Sequence, residues 1–171
     1  MVSSTQEVRT TAHGGEEIVV FLIGMRVNRW RQLRSWLPVA AAMPRMLREL
    51  AKHPELGLLD ARTYVSGRVV LVVQYWRSFE LLEDYARAGD REHLPAWRAF
   101  NRRARAAGHV GIFHETYVVP AGSRESIYAQ MPAYGLGRAI GTAPISTRGY
   151  SAGHRLDPRR TDNPLEPAHA P

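Results

Sequence analysis

The chain has 171 residues, enough for one domain with a hydrophobic core, and its N-terminal segment lacks the apolar stretch of a secretory signal. It contains no cysteine, which excludes disulfides and thiolate sites, and it has no apolar run near the roughly 18 residues that span a bilayer. From these absences we expect a cytoplasmic protein without a membrane partner. The net charge of +7 comes almost entirely from arginines that are scattered along the chain and form no single stripe, so we expect no nucleic-acid partner either.

The two ends of the chain differ in pattern from its middle. Residues 1–15 and 142–171 are polar and aperiodic, and we expect them to be flexible tails. Between them we expect one domain at 16–141, with a core at 16–120 and a C-terminal arm at 121–141.

The core begins with a strand and a helix. Residues 17–27, EIVVFLIGMRV, are β-branched and apolar on both faces, which is typical of a central strand. Apolar residues then recur every three or four positions over 30–53, and this spacing predicts a helix. Pro38 and Pro44 lie inside this stretch, so we expect two helical pieces.

The second half of the core begins with two strand patterns at 58–65 and 68–76, joined by a Ser-Gly turn into a predicted hairpin. Ser78 is placed to cap a second helix, which we expect to end at Gly108. Residues 109–119 form the last predicted strand, which Pro120 ends.

The predicted order is therefore β-α-β-β-α-β, the ferredoxin-like α+β fold, in which two helices cover one face of an antiparallel four-stranded sheet. Three of the strands are apolar on both faces, so a lone copy would expose a large apolar surface. A second copy packed on that face would cover it, and we expect a homodimeric α+β barrel around a cavity, with the arm at 121–141 wrapping the partner.

Several motifs resemble the antibiotic-biosynthesis monooxygenase superfamily of dimeric α+β barrels. They are the strand end YWRS at 75–78 before an amphipathic helix, the run HLPAWRAFN at 93–101, the strand VGIFHETY at 110–117, and the segment at 128–135. The last three resemble the branch with a fungal monooxygenase of the fumagillin pathway. The resemblance implies a hydrophobic small-molecule substrate and O2 as partners, but no fixed catalytic set, because relatives include cofactor-independent oxygenases and haem proteins.

His114 is the first candidate catalytic residue. In an extended strand it shares a face with Ile112 and Thr116, while Phe113 and Glu115 take the other face. One of these faces meets the helices and the other meets the cavity. An imidazole in an apolar cavity can act as a base near neutral pH or ligate haem iron, and the alternative is a buried, hydrogen-bonded structural histidine.

The other candidates come from the second helix and the strands. His93 and Asn101 are candidate catalytic groups, although His93 precedes Pro95 and is also placed to cap a helical turn. Aromatic side chains are the candidate substrate-binding groups, with core packing as the alternative for each; they are Trp97, Phe100, Tyr75, Tyr117 and Trp76.

Sequence motifs exclude several other enzyme classes. No Gly-rich phosphate loop, nucleophile elbow or H-E-x-x-H zinc helix is present. We expect a small monooxygenase of secondary metabolism that oxidises a polyketide-like or terpenoid-like molecule. Without a cofactor such chemistry needs an acidic substrate, and a terpene hydrocarbon would instead need a metal or haem. Two alternatives stay open: a haem oxygenase, peroxidase or dehydratase with His114 or His93 as axial ligand, and a non-catalytic small-molecule binding protein.

Overall fold

The computed structural model describes residues 9–89, 91, 98, 100 and 108–160. Within these residues the chain forms two units, one between residues 18 and 118 and one of residues 9–17 with 119–160. The elements in chain order are β1 (Arg9–Ala12), β2 (Ile18–Val27), α1 (Leu33–Lys52), a 3-10 turn (Pro54–Leu56), β3 (Leu58–Ser66), β4 (Val69–Trp76), α2 (Phe79–Arg87), β5 (Val110–Val119), β6 (Tyr128–Ala129), α3 (Leu136–Ile140), β7 (Thr142–Pro144), a 3-10 turn (Ile145–Thr147) and α4 (Ala152–Leu156).

The larger unit contains the predicted four-stranded sheet. Its strands lie in the order β3-β4-β2-β5, and β4 pairs antiparallel with both β3 and β2. The first strand along the chain therefore lies between the third and the fourth, which is the ferredoxin-like arrangement. The predicted fold is confirmed.

Strand register decides which side chains meet the helices. Val19 lies opposite Trp76 and Met25 lies opposite Val70, so the odd-numbered residues of β2 share a face with the even-numbered residues of β4. At one end of this face a buried cluster joins sheet and helices, made of Val19, Leu50, Trp76, Leu82 and Tyr85. At the other end Met25, Val27 and Val110 are buried against α1 and Phe100. The core thus lies between the sheet and its helices.

The opposite face of the sheet is also apolar, as predicted. It carries the even-numbered residues of β2 and the odd-numbered residues of β4, including Leu22 and Val73. Phe113 of β5 lies over Gly24, where any Cβ would overlap its ring. The ring is nevertheless 40% exposed. A glycine at this point lets an aromatic side chain of one strand cover the backbone of its neighbour.

Helix α1 is one continuous helix, so the prediction of two pieces is wrong. Pro38 and Pro44 each remove one backbone hydrogen bond, at a cost of about 3 kcal/mol in a helix interior. The helix persists because it buries Ala42, Met46 and Leu50 on one face. Of the helices in the described part of the chain, none has the length and apolarity needed to cross a bilayer.

The smaller unit departs from the expected tails. Strand β1 pairs antiparallel with β6 and with β7. Residues 9–12 and 142–156, expected to lie in flexible tails, therefore contribute strands and short helices. Arg155 is buried, and its guanidinium donates to Glu125 and to the carbonyl oxygens of Gly149 and Tyr150. These strands escaped prediction because two to four residues are too few to show a periodic pattern.

Candidate functional site

A cavity of about 680 Å³ lies between the sheet and the helices of the larger unit. This volume suits a small organic molecule, since ligand pockets commonly measure roughly 300 to 1,000 Å³. Its walls are mainly apolar, with residues from both ends of the core; they include Phe21, Met25, Val39, Met46, Val72, Leu82, Phe100 and Ile112. The cavity therefore lies on the helix side of the sheet, rather than in a barrel between two sheets as expected.

His114 lies in the wall of this cavity. Val110 and Ile112 pack in the core beneath the helices, so the alternation along β5 turns His114 to the same side. Its ring packs against Phe21, with the ring centroids 5.8 Å apart. No hydrogen bond joins the imidazole to another described residue, and the residue is exposed rather than buried. With respect to the described residues, the imidazole is thus available to a ligand.

Thr116 lies two residues beyond His114 and also lines the cavity. On this face of β5 its hydroxyl is the polar group next to His114, because side chains two residues apart on one face stand about 7 Å from each other. A ligand group at His114 can therefore also reach a hydrogen-bonding hydroxyl.

A second polar pair, Ser35 and His109, was not anticipated. Ser35 lines the cavity at the start of α1, and its hydroxyl lies 3.1 Å from Nδ1 of His109. The backbone carbonyl of His109 accepts hydrogen bonds from the amides of Asn28 and Arg29. His109 precedes β5, and only the three-dimensional approach of α1 to the start of β5 identifies the pair. About 16 Å of strand separates it from His114, so imidazoles lie near both ends of the cavity.

Exposed arginines mark where the cavity meets solvent. Arg34, Arg45 and Arg87 all line it, and all three residues are exposed. Glu83 is the only carboxylate among its described lining residues, and it pairs with Arg87 at 2.8 Å. The described mouth therefore carries a net positive charge.

The predicted substrate-binding residues within the described part of the chain separate into three groups. Phe100 lines the cavity. Trp76 lies in the core, 1% exposed, and donates through Nε1 to Oε1 of Gln74 at 2.8 Å. Tyr75 and Tyr117 lie on the opposite face of the sheet and cannot contact a ligand in this cavity. His93, Trp97 and Asn101 fall outside the described residues.

Tyr117 has an acidic neighbour of its own on that opposite face. Its hydroxyl donates to Oε2 of Glu115 at 2.6 Å. This hydrogen bond and the negative charge of Glu115 raise the pKa of Tyr117 above its ordinary value. The phenol therefore stays protonated to higher pH than an isolated tyrosine.

No cluster of three or more His, Cys, Asp or Glu side chains suited to a metal ion occurs among the residues that the structure describes. The single imidazole of His114 is the described group that fits an axial haem ligand, because it lines a cavity of suitable size and has no competing hydrogen bond within the described residues.

Comparison with known proteins identifies relatives over most of the chain. A family model described as Monooxygenase af470-like matches residues 18–136. Monooxygenase af470 of Aspergillus fumigatus is 29% identical over 147 residues, which cover 74% of this chain and 49% of that protein. The chain thus spans about half the length of this curated relative.

Similar solved structures have low sequence identity to this chain. An aldoxime dehydratase in complex with butyraldoxime has a TM-score of 0.61 at 16% identity, covering 79% of this chain and 39% of its own. SnoaB, a cofactor-independent oxygenase from Streptomyces nogalater, has a TM-score of 0.43 at 12% identity, covering 60% of this chain and 91% of its own. The dehydratase supports the fold alone.

Proposed function

Because this chain belongs to the Monooxygenase af470-like family, we propose that it is a small monooxygenase that oxidises a hydrophobic molecule of secondary metabolism with O2 in the cavity around His114. Family membership confirms the branch to which the sequence motifs pointed. The observation that carries the proposal is an available imidazole in the wall of an apolar cavity of about 680 Å³. A polyketide-like or terpenoid-like substrate suits these walls.

The proposed reaction needs an acidic C–H bond in the substrate and no cofactor. His114 takes one proton, and the resulting carbanion passes its electrons to O2, so that a C–O bond forms and the proton returns to give a hydroperoxide. Loss of the second C–H proton and cleavage of the O–O bond release water and leave a carbonyl. One CH2 group and one O2 thus give one C=O group and one H2O. The substrate supplies all the electrons.

The remaining lining residues would orient and protect the reacting carbon. Phe21 packs beside the His114 ring and restricts its orientation. Phe100, Met46 and Ile112 provide apolar surface for a flat ring system, which keeps water away from the carbanion. The hydroxyl of Thr116 is placed to donate to an oxygen of the substrate.

The test is oxygen uptake with anthrone, whose CH2 group is acidic and whose oxidation product is anthraquinone. With ¹⁸O2 we expect one labelled oxygen atom in the product. His114→Ala removes the base, and general-base catalysis typically contributes about 10²- to 10⁴-fold, so kcat should fall by at least the lower figure. His53→Ala is the matched control, because His53 lies at the end of α1 and outside the cavity wall.

The outcome of that test separates the alternatives. Anthrone that binds without oxygen uptake would favour a ligand-binding protein. Oxygen uptake unchanged in His114→Ala would remove His114 from the mechanism. In either case the family membership would stand.

A second candidate function is haem-dependent oxidation, favoured by the same unpaired imidazole. His114 would hold the iron, and bound haem would supply the oxygen chemistry for substrates without an acidic C–H bond. His93, the other predicted axial ligand, falls outside the described residues. An intense absorption band near 400 nm on adding hemin, lost in His114→Ala, would support this function, and a flat spectrum would reject it.

We also propose that two copies pair through the sheet face that lies opposite the cavity. Apolar side chains on that face include Leu22, Leu71, Val73 and Phe113. Large apolar residues exposed on one face are typical of an interaction site. The cavity lies on the other side of the sheet, so pairing would cover the exposed apolar face without contacting the binding site.

A further inference from the structure

The cavity has an apolar interior and a positively charged mouth. Three guanidinium groups and one carboxylate occur among its described lining residues. The carboxylate of Glu83 is already paired with Arg87. Among the described lining residues, guanidinium groups therefore outnumber carboxylates.

Arg34 is the most available of these cations. It lies at the start of α1, beside Ser35, and it makes no ion pair or side-chain hydrogen bond with the described residues. A guanidinium presents up to five N–H donors in a plane, which matches the oxygens of a carboxylate or sulfonate. The neighbouring Ser35 hydroxyl, held at 3.1 Å from His109, offers a further polar contact at the same end of the cavity.

We infer that the cavity selects hydrophobic anions: molecules with a flat or extended apolar body inside and an acid group held at the mouth by Arg34, with Arg45 and Arg87 adding to the positive potential. This inference rests on the proposed function and narrows its substrate class to organic acids. Such a group would be anchored beside Ser35, whose partner His109 lies about 16 Å from His114 along the strand, and the reacting carbon would lie at the His114 end.

Two dyes that differ by one sulfonate group test this selectivity. The probes are 8-anilino-1-naphthalenesulfonate and N-phenyl-1-naphthylamine, which share one aromatic skeleton, and only the first carries a sulfonate. Both fluoresce on transfer to an apolar site, so each dissociation constant comes from a direct titration. We expect the sulfonate to bind about tenfold more tightly, an advantage that should shrink as salt is raised because the mouth is exposed.

Arginine variants assign the selectivity to the mouth. Arg34→Gln should weaken sulfonate binding about threefold to tenfold and leave the neutral dye unchanged. The triple variant Arg34→Gln, Arg45→Gln, Arg87→Gln should remove the preference altogether. Arg48→Gln is the matched control, since Arg48 is exposed on the same helix and does not line the cavity.

Binding of the neutral dye distinguishes a failure of the anion inference from a failure of the proposed use of the cavity. If it binds and the sulfonate shows no advantage, or if the advantage survives in the triple variant, the cavity exists and the inference on anions is wrong. If neither dye binds in a folded protein, both the anion inference and the proposed use of the cavity fail.

Discussion

Tyr117 and Glu115 provide a pH-dependent pair that can be measured directly. Ionising Tyr117 would place a phenolate 2.6 Å from a carboxylate, which raises the pKa of the phenol in the folded state. The folded protein then holds this proton more tightly than the unfolded chain does. The resulting stabilisation is complete below the ordinary tyrosine pKa of about 10 and is lost as pH rises through the folded value.

We therefore predict a tyrosinate absorbance step at 295 nm that lies above the ordinary tyrosine range and is missing in Tyr117→Phe. Glu115→Gln removes the charge but keeps a hydrogen-bond acceptor, so it should lower the midpoint of that step. If the midpoint is the same in the natural chain and in Glu115→Gln, the carboxylate does not control the pKa of the Tyr117 phenol.

Site residues were only partly predictable because alternation along a strand gives two faces without saying which meets the cavity. The pattern of β5 correctly grouped His114 with Ile112 and Thr116, and packing under the helices then placed that group in the cavity wall. The same rule could not show that Tyr75 and Tyr117 lie on the other face. The contact between Ser35 and His109 joins residues 74 positions apart, and no local pattern reports such a contact.

Helix α1 carries two prolines that its packing has to offset. Pro44 is exposed, lies outside the cavity wall, and has no N–H to donate to the carbonyl of Ala40. Pro44→Ala restores that hydrogen bond. It also raises the conformational entropy of the unfolded chain, which lowers the free energy of unfolding by about 1 kcal/mol or less. We predict a net increase of about 2 kcal/mol in the free energy of unfolding, measured by urea denaturation.

Pro54→Ala is the control for this helix. Pro54 is the first residue of a short 3-10 turn, where the missing N–H has no helical partner to lose, so no gain is expected. Dye binding should be unaffected in both variants. Equal stabilities of Pro44→Ala and the natural chain would mean that α1 accommodates Pro44 without strain.

At the level of elements, periodicity predicted the four strands of the larger sheet and helix α1 with boundaries close to those observed. Helix α2 begins after Ser78, as predicted, but it ends at Arg87, and most of the stretch from there to the predicted end at Gly108 lies outside the described residues. The exceptions follow from physical causes that a local pattern does not report. Proline argued for a break in α1, but burial of Ala42, Met46 and Leu50 on the sheet outweighs two lost hydrogen bonds. The strands β1, β6 and β7 are stabilised by pairing between distant parts of the chain, so their sequences resemble loops.

For the whole molecule, the two faces of the sheet have separate roles in the proposals. The helix side encloses the cavity, and the opposite side carries exposed apolar groups, with Phe113 at 40%, Tyr64 at 42% and Tyr117 at 50% exposed. That the sheet is apolar on both faces could be predicted from the sequences of its strands. Which face borders the cavity could not be predicted from the sequence, because that depends on how closely α1 and α2 approach the sheet.

Pairing of two copies through that opposite face gives the final prediction. Light scattering after size-exclusion chromatography should give twice the chain mass of 19.2 kDa. Tyr64→Arg and Tyr117→Arg each place a charge on the proposed interface, where it would be desolvated and repeated by the two-fold symmetry, so both should shift the protein towards the monomer. Leu37→Arg is the control, because Leu37 is 49% exposed on α1, away from that face.

Because the cavity lies on the other side of the sheet from the proposed interface, a monomeric variant should still bind the neutral dye. Dissociation without loss of dye binding would therefore separate the interface from the site. If both Tyr64→Arg and Tyr117→Arg remain dimeric, the copies pair through another surface. If the natural chain is monomeric, the exposed aromatic groups have another partner, and the proposed dimer is wrong while the proposed site is untouched.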